Sequence, residues 1–138
     1  MPDAQVVQLP VASDPTISFR IWFKVGAQDD PPGKEGLAAL TASMMTNAST
    51  AANSYEQILD KLFPLAAAYR SSTSAEMTVI YGRVHKDNMD DFYPLFRDAI
   101  LRPAFTQEDL DRLKSEALNY LENTLRYAND EELGKALL

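Results

Sequence analysis

No cysteine occurs among the 138 residues, which excludes a disulfide framework, a thiolate metal site and a cysteine nucleophile. Histidine is nearly as scarce. His85 is the only one, so the chain cannot assemble a multi-histidine zinc site from its own residues, and a Ser-His-Asp machine would have to be built around that single ring. Basic residues are in the minority: 13 Lys and Arg stand against 20 Asp and Glu, a net charge of -7. That balance disfavours nucleic acid and anionic membrane surfaces as partners and favours basic ligands through the long-range field. No run approaches the roughly 18 apolar residues of a membrane-spanning helix, and Met1-Pro2-Asp3-Ala4 lacks the basic-then-apolar opening of a signal peptide. The compartment stays open, periplasmic or cytoplasmic, because domains in both manage without cysteine.

What is present suffices for a core: 46% of the residues are hydrophobic, and the length suits one domain or a piece of one, taken here as a single unit over 1–138. Val6-Val7-Gln8-Leu9 is a short apolar run ended by Pro10. From Thr16 to Val25 the chain alternates, with Ile17, Phe19, Ile21, Phe23 and Val25 on one face and Ser18, Arg20, Trp22 and Lys24 on the other. The two runs predict a hairpin-like pair of strands. The loop from Gly26 to Gly33 is dense in turn formers, and Pro31-Pro32 forbids continuing a ladder. A central helix is predicted next, from Lys34 or Glu35 to about Asn47. Leu37, Leu40, Met44 and Ala48 recur at helical spacing and small residues fill the gaps, so most of that helix should be covered. Ser54 with Gln57 forms a capping box for a second helix reaching about Ala68, bent at Pro64. Tyr69–Ser74 and Met77–Val84 predict adjacent antiparallel strands. Asp87 or Asn88 caps a third helix carrying Met89, Phe92, Phe96, Ala99 and Ile100, kinked at Pro94 and ended by Arg102-Pro103. Thr106 and Asp109 open the longest helix, whose stripe of Leu110, Leu113, Ala117, Leu121 and Leu125 runs to about Tyr127. A last segment begins at Asn129 or Asp130. The order is that of an α+β fold, an antiparallel sheet with helices packed on one face, and the face of Ile17, Phe19, Ile21 and Phe23 should meet the central helix.

Local chemical motifs are weak. Gly26, Gly33 and Lys34 resemble a phosphate loop, but six residues separate the glycines where four are required, and Glu35 stands where a hydroxyl must hold magnesium. Asp29, Asp30 and Glu35 lack the alternate spacing of a calcium loop, and the prolines argue for a plain turn. No serine sits in a Gly-x-Ser-x-Gly elbow. His85-Lys86-Asp87 marks a strand-to-helix turn. Tyr81, Tyr93, Tyr120 and Tyr127 read as packing residues with wet hydroxyls, and Asn47-Ala48-Ser49 matches a glycosylation pattern too short to carry weight.

The order of elements is more specific than any one of them. An alternating strand ending in Val25-Gly26, an acidic-Pro turn, Gly36-Leu37-Ala38 and a Met-rich helix end come first; Ser54-Tyr55-Glu56, the strand from Met77 to Val84 and Leu101-Arg102-Pro103-Ala104-Phe105 before a long acidic helix follow. This succession resembles the amino-terminal part of an insulinase/pitrilysin-type domain, the inverted zinc-motif peptidases that include mitochondrial processing peptidase. In that family the helix after Gly-Leu-Ala carries His-x-x-Glu-His. On this chain the resemblance sets the first His at Ala39, the Glu at Ala42, the second His at Ser43, and the third ligand, a glutamate on a later helix, at Glu116.

The resemblance therefore implies half of a metallopeptidase-like domain, truncated relative to the family's longer domains, without its motif. Two imidazoles one turn apart hold zinc, and the carboxylate between them takes a proton from the metal-bound water; methyl groups at Ala39 and Ala42 do neither. Glu116 alone is expected to remain without metal, so no cofactor is expected where active relatives use zinc. Such a domain resembles the non-catalytic halves that pair with a protein partner or a second peptidase-like domain and enclose extended peptides, which the helix-free face of the sheet and its edge would bind by strand addition. Two alternatives stay open: an active zinc metallopeptidase component whose ligands come from a partner or a downstream domain, and a structural or assembly module indifferent to peptides.

Overall fold

β1 (Thr16–Phe23) forms where apolar and polar side chains alternate strictly, and its burial alternates with them. The computed structural model describes residues 5–125; the expected helix end near Tyr127 and the segment from Asp130 lie outside them. β1 pairs antiparallel with β3 (Thr78–His85), setting Thr16 opposite His85 and Phe23 opposite Thr78. β2 (Ala68–Thr73) pairs with the other side of β3, so the order is β1-β3-β2. The fold is α+β, with α1 (Leu37–Thr46), α2 (Tyr55–Leu62), α3 (Met89–Leu101) and α4 (Gln107–Asn119) around this three-stranded sheet. α4 continues as a wider π-type turn over Tyr120–Leu125.

The core lies between the sheet and α3. Ile80, Phe92 and Ala99 are fully buried, and Phe19, Tyr69, Phe92 and Phe96 form one aromatic group with ring centroids 5.4 to 6.3 Å apart. Gly82 on β3 lies under Phe92: a Cβ there would stand 2.9 Å from the ring tip and 3.2 Å from Tyr69 Cβ. A side chain at that position would displace the ring. Gly26 has a similar cause, since a Cβ would come within 2.3 Å of the Ala75 carbonyl oxygen where the loop after β1 crosses the β2–β3 turn. Backbone bonds from Ala27 N–H to Ser74 O (2.9 Å) and from Gln28 N–H to Ala75 O (3.0 Å) tie that crossing.

Several expectations are corrected by this architecture. Val6–Leu9 is not a strand: Val6, Val7 and Leu9 are 78 to 85% exposed and pair with no described strand. Pro10 lacks an N–H donor, and a run apolar on both sides offers a half-exposed edge no preferred face. α1 begins at Leu37 and not at Lys34 or Glu35, because Gly36 takes a left-handed φ of 91° and the turn before it is closed by Asp30. α2 stops at Leu62 and not near Ala68. Pro64 opens a single 3-10 turn, and Ala66, with φ 47°, turns the chain directly into β2. α3, by contrast, runs through Pro94 as one helix.

The inner face of β1 also meets a different neighbour from the one expected. Ile17, Phe19, Ile21 and Phe23 all pack against the core built on Phe92 and Phe96, to which α1 adds Met45, and Phe23 also lines a cleft with α1. α1 lies chiefly over β2, where Thr46 Oγ1 and Ser71 Oγ are 3.1 Å apart. Only its second half is well covered: Ala42, Met44 and Thr46 are buried while Leu37, Ala39 and Thr41 are exposed. The expected stripe on α4 is likewise shorter. Leu113 is buried and Leu110 half-buried, but Ala117 and Leu121 face solvent.

Candidate functional site

α1 is anchored from outside its own sequence. Asp30, six and eight residues upstream of its two partners, accepts hydrogen bonds from Gly36 N–H (2.7 Å) and Ala38 N–H (2.8 Å). This satisfies the orphan donors of the first turn and sets a negative charge at the positive end of the helix dipole. The neighbouring carboxylates do separate jobs: Asp29 accepts from Gly26 N–H at 2.8 Å and Glu35 from Gly33 N–H at 3.0 Å. The acidic loop is a turn tied by its own side chains, and its oxygens do not converge.

The three positions set by the resemblance, three and four residues apart, share a face of α1 but differ in burial. Ala39 is exposed, Ser43 half-buried and Ala42 only 3% exposed. Ala42 lines a cleft of about 300 Å³ with Phe23, Leu37, Ala38, Met45 and Ile80. In donor chemistry these residues do not fit a zinc ion. A methyl group has no lone pair to offer, and a neutral hydroxyl is a poor partner for a metal that selects imidazole, thiolate and carboxylate. Among the described residues no three His, Asp or Glu side chains gather closely enough to hold a metal.

α4 presents the fourth position, and here a residue passed over in the sequence turns out to be the hub. Arg112 Nη2 donates to Asn47 O at the end of α1 and to Asp109 Oδ1 (3.0 Å), while its Nη1 donates to Glu116 Oε1 (3.1 Å). Its guanidinium also lies 4.4 Å from the centre of the Tyr55 ring, a favourable stacking of cation on π face. Glu116, 60% exposed at its side chain, therefore has a guanidinium from its own helix as charge partner. Asp109 pins the start of α4 to the end of α1 by accepting from Ser49 N–H at 3.0 Å. Taken with the Arg112–Asn47 bond one turn later, this runs the end of α1 and the start of α4 in opposite directions.

Asp109 was legible only as a capping residue. Thr106 Oγ1 accepts from Asp109 N–H (3.2 Å), as a cap should, and its hydroxyl donates back to Asp109 Oδ2 (2.7 Å). Burial pushes the Asp109 carboxyl up, but the donors from Ser49, Thr106 and Arg112 outweigh it and hold it down at about 2. Asp98 on α3 is a second buried carboxylate. Arg102 Nη2 at 2.6 Å and Arg97 Nη2 at 3.1 Å keep it below the ordinary range against its burial. His85 sits at the turn into α3, its Nδ1 accepting from Asp87 N–H at 3.3 Å.

A family model described as Insulinase (Peptidase family M16) matches residues 6–135. Among solved structures, a peptidase M16 inactive domain from Pseudomonas fluorescens is similar with a TM-score of 0.69 and 25% identity, over 77% of this chain and 26% of that one. A protease from Helicobacter pylori gives 0.64 at 18% identity, over 76% of this chain and 26% of that one, and at that identity it speaks for the fold alone. No curated protein matches the sequence. The chain spans about a quarter of the length of each of these structural neighbours.

Proposed function

Since the chain belongs to the insulinase family of peptidases, family M16, we propose that it is a non-catalytic domain of that family, a partner or peptide-enclosing half of a peptidase assembly. The observation that carries this reading is the side-chain chemistry on α1, where Ala39, Ala42 and Ser43 stand at the positions of the two imidazoles and the general base. Without the imidazoles no metal polarises a peptide carbonyl, and without the carboxylate no group takes the proton of the attacking water. The Arg112–Glu116 pair agrees with it, because a carboxylate that served a metal in an active relative here meets a guanidinium.

What remains usable is backbone. β2 is an edge of the sheet among the described residues, and an extended peptide adding to it would gain main-chain hydrogen bonds and lay alternate side chains on the two faces. α1 lies over β2 and would wall one side of such a peptide, as the Thr46–Ser71 contact illustrates. Catalytic groups are not needed for that mode. The test is peptide cleavage by the purified chain with and without chelator, beside binding of an unfolded peptide. The expected result is binding with no chelator-sensitive cleavage; chelator-sensitive turnover would overturn the proposal.

Glu116 also favours a second reading. As the residue at the third-ligand position it would serve an active assembly if a partner or another domain supplied the imidazoles. Chelator-sensitive cleavage arising only on adding that partner, and lost in Glu116→Gln, would decide for it.

A further inference from the structure

The three strands contain no Asp or Glu, although the chain carries 20 of them and a net charge of -7. Their cations lie on the face turned away from the helices. Arg20 on β1 and Arg70 on β2 are both in register with Tyr81 on β3, one on either side, and Arg83 is two residues further along β3 on the same face. Arg20 stacks over the Tyr81 ring at 5.9 Å, and Trp22, two residues on from Arg20, is 56% exposed. Arg83 is already paired with Asp14 at 3.2 Å. Arg20 and Arg70 have no carboxylate within ion-pair distance among the described residues.

We propose that this face docks an acidic polypeptide segment, with Arg20 and Arg70 taking its carboxylates and Tyr81 and Trp22 packing against the chain between them. Two strand spacings separate the arginines, about 10 Å, which matches carboxylates three residues apart on an extended chain of the polyproline II type, with three residues per turn and a rise of about 3.1 Å, so that every third side chain shares a face. Arginine, tyrosine and tryptophan are the residues that dominate protein interfaces energetically, which favours a polypeptide over a lipid surface. The guanidinium fork donates to both oxygens of a carboxylate. With a Debye length of about 8 Å at physiological salt, exposed carboxylates farther than that from this face are largely screened from it. The interface uses side chains on the helix-free face and not the motif positions of α1, so it stands whether or not the chain takes part in cleavage.

The test is fluorescence anisotropy at low and high salt, with a short labelled peptide bearing glutamate at every third residue, its lysine counterpart, and vesicles containing phosphatidylserine. Arg20→Glu/Arg70→Glu is compared with Lys34→Glu/Lys114→Glu, an equal charge change at exposed lysines off the sheet, and with the milder Arg20→Gln/Arg70→Gln. Melting curves verify that each variant folds. The glutamate peptide should bind, weaken at least about tenfold with either arginine pair replaced and weaken with salt, while the lysine pair changes affinity less than about twofold. The proposal falls if neither peptide binds, if the lysine peptide binds equally well, if both charge-reversed variants lose binding alike, or if only vesicles bind.

Discussion

α3 and α4 are both thirteen residues long, yet they are held in opposite ways. α3 contributes Phe92, Leu95, Phe96 and Ala99 to a dry seam against β1, β2 and β3, with every ring touching another. α4 buries one leucine, Leu113, and is otherwise fastened to α1 by the Asp109–Arg112 lattice on Ser49 and Asn47. Apolar burial is non-directional and scales with area, so the α3 seam fixes the fold. Hydrogen bonds are directional and of modest net worth, so the α4 seam fixes register and contributes less stability than the first. None of Ala39, Ala42 and Ser43, the residues at the family's motif positions, belongs to the first seam.

The contrast is broken most strongly at Phe92. Phe92→Ala removes the ring shared by Phe19, Tyr69 and Phe96 and should cost about 3–5 kcal/mol in chemical denaturation. A loss below about 1 kcal/mol would mean that the dry seam does not carry the fold. Asp109→Asn comes next, with an expected loss of about 2 kcal/mol at neutral pH. Its signature is in the acid limb. The folded carboxyl titrates near 2 against an ordinary 3.8, so the unfolded chain binds the proton first as pH falls. Stability from this group is fully present above about 4 and is lost between about 4 and 2. Asp98 is depressed in the same direction by Arg102 and Arg97, so Asp109→Asn should shallow the acid limb without abolishing it. An unchanged acid limb would show that the lattice on Asp109 is not formed in solution. Glu116→Gln is the smallest change, below about 0.5 kcal/mol, because an exposed ion pair on one helix contributes little; a loss beyond about 2 kcal/mol would show Glu116 engaged by more than Arg112.

Much of this was readable along the chain, and for a common reason. Where a signal is local, such as the alternation of β1, the Ser54–Gln57 capping box or the Thr106 cap, the element formed close to its expected place. Where the outcome depends on what lies across the fold, sequence periodicity was silent. The spacing on α1 could not say that Asp30 closes the turn before Leu37, nor that the covered half would be the second. The leucine stripe on α4 did not reveal that nothing among the described residues covers Leu121. Arg112 has no local distinction from Arg97 or Arg102; only the approach of Tyr55 and Asn47 makes it the hub. At the motif positions the reading rests on residue identity, which needs no coordinates, whereas the burial of Ala42 beside the cleft needed them.

That burial also sets the most direct test of the account. Zinc content after equilibrium dialysis, measured by metal analysis on the purified chain and on Ala39→His/Ala42→Glu/Ser43→His, addresses the α1 chemistry itself, with the cleft beside Ala42 giving the new glutamate room. The account predicts no stoichiometric zinc in the chain as it stands, about one ion per molecule in the triple variant, and loss of that ion when Glu116→Gln is added. One tightly held zinc in the unaltered chain, released by Glu116→Gln, would contradict it.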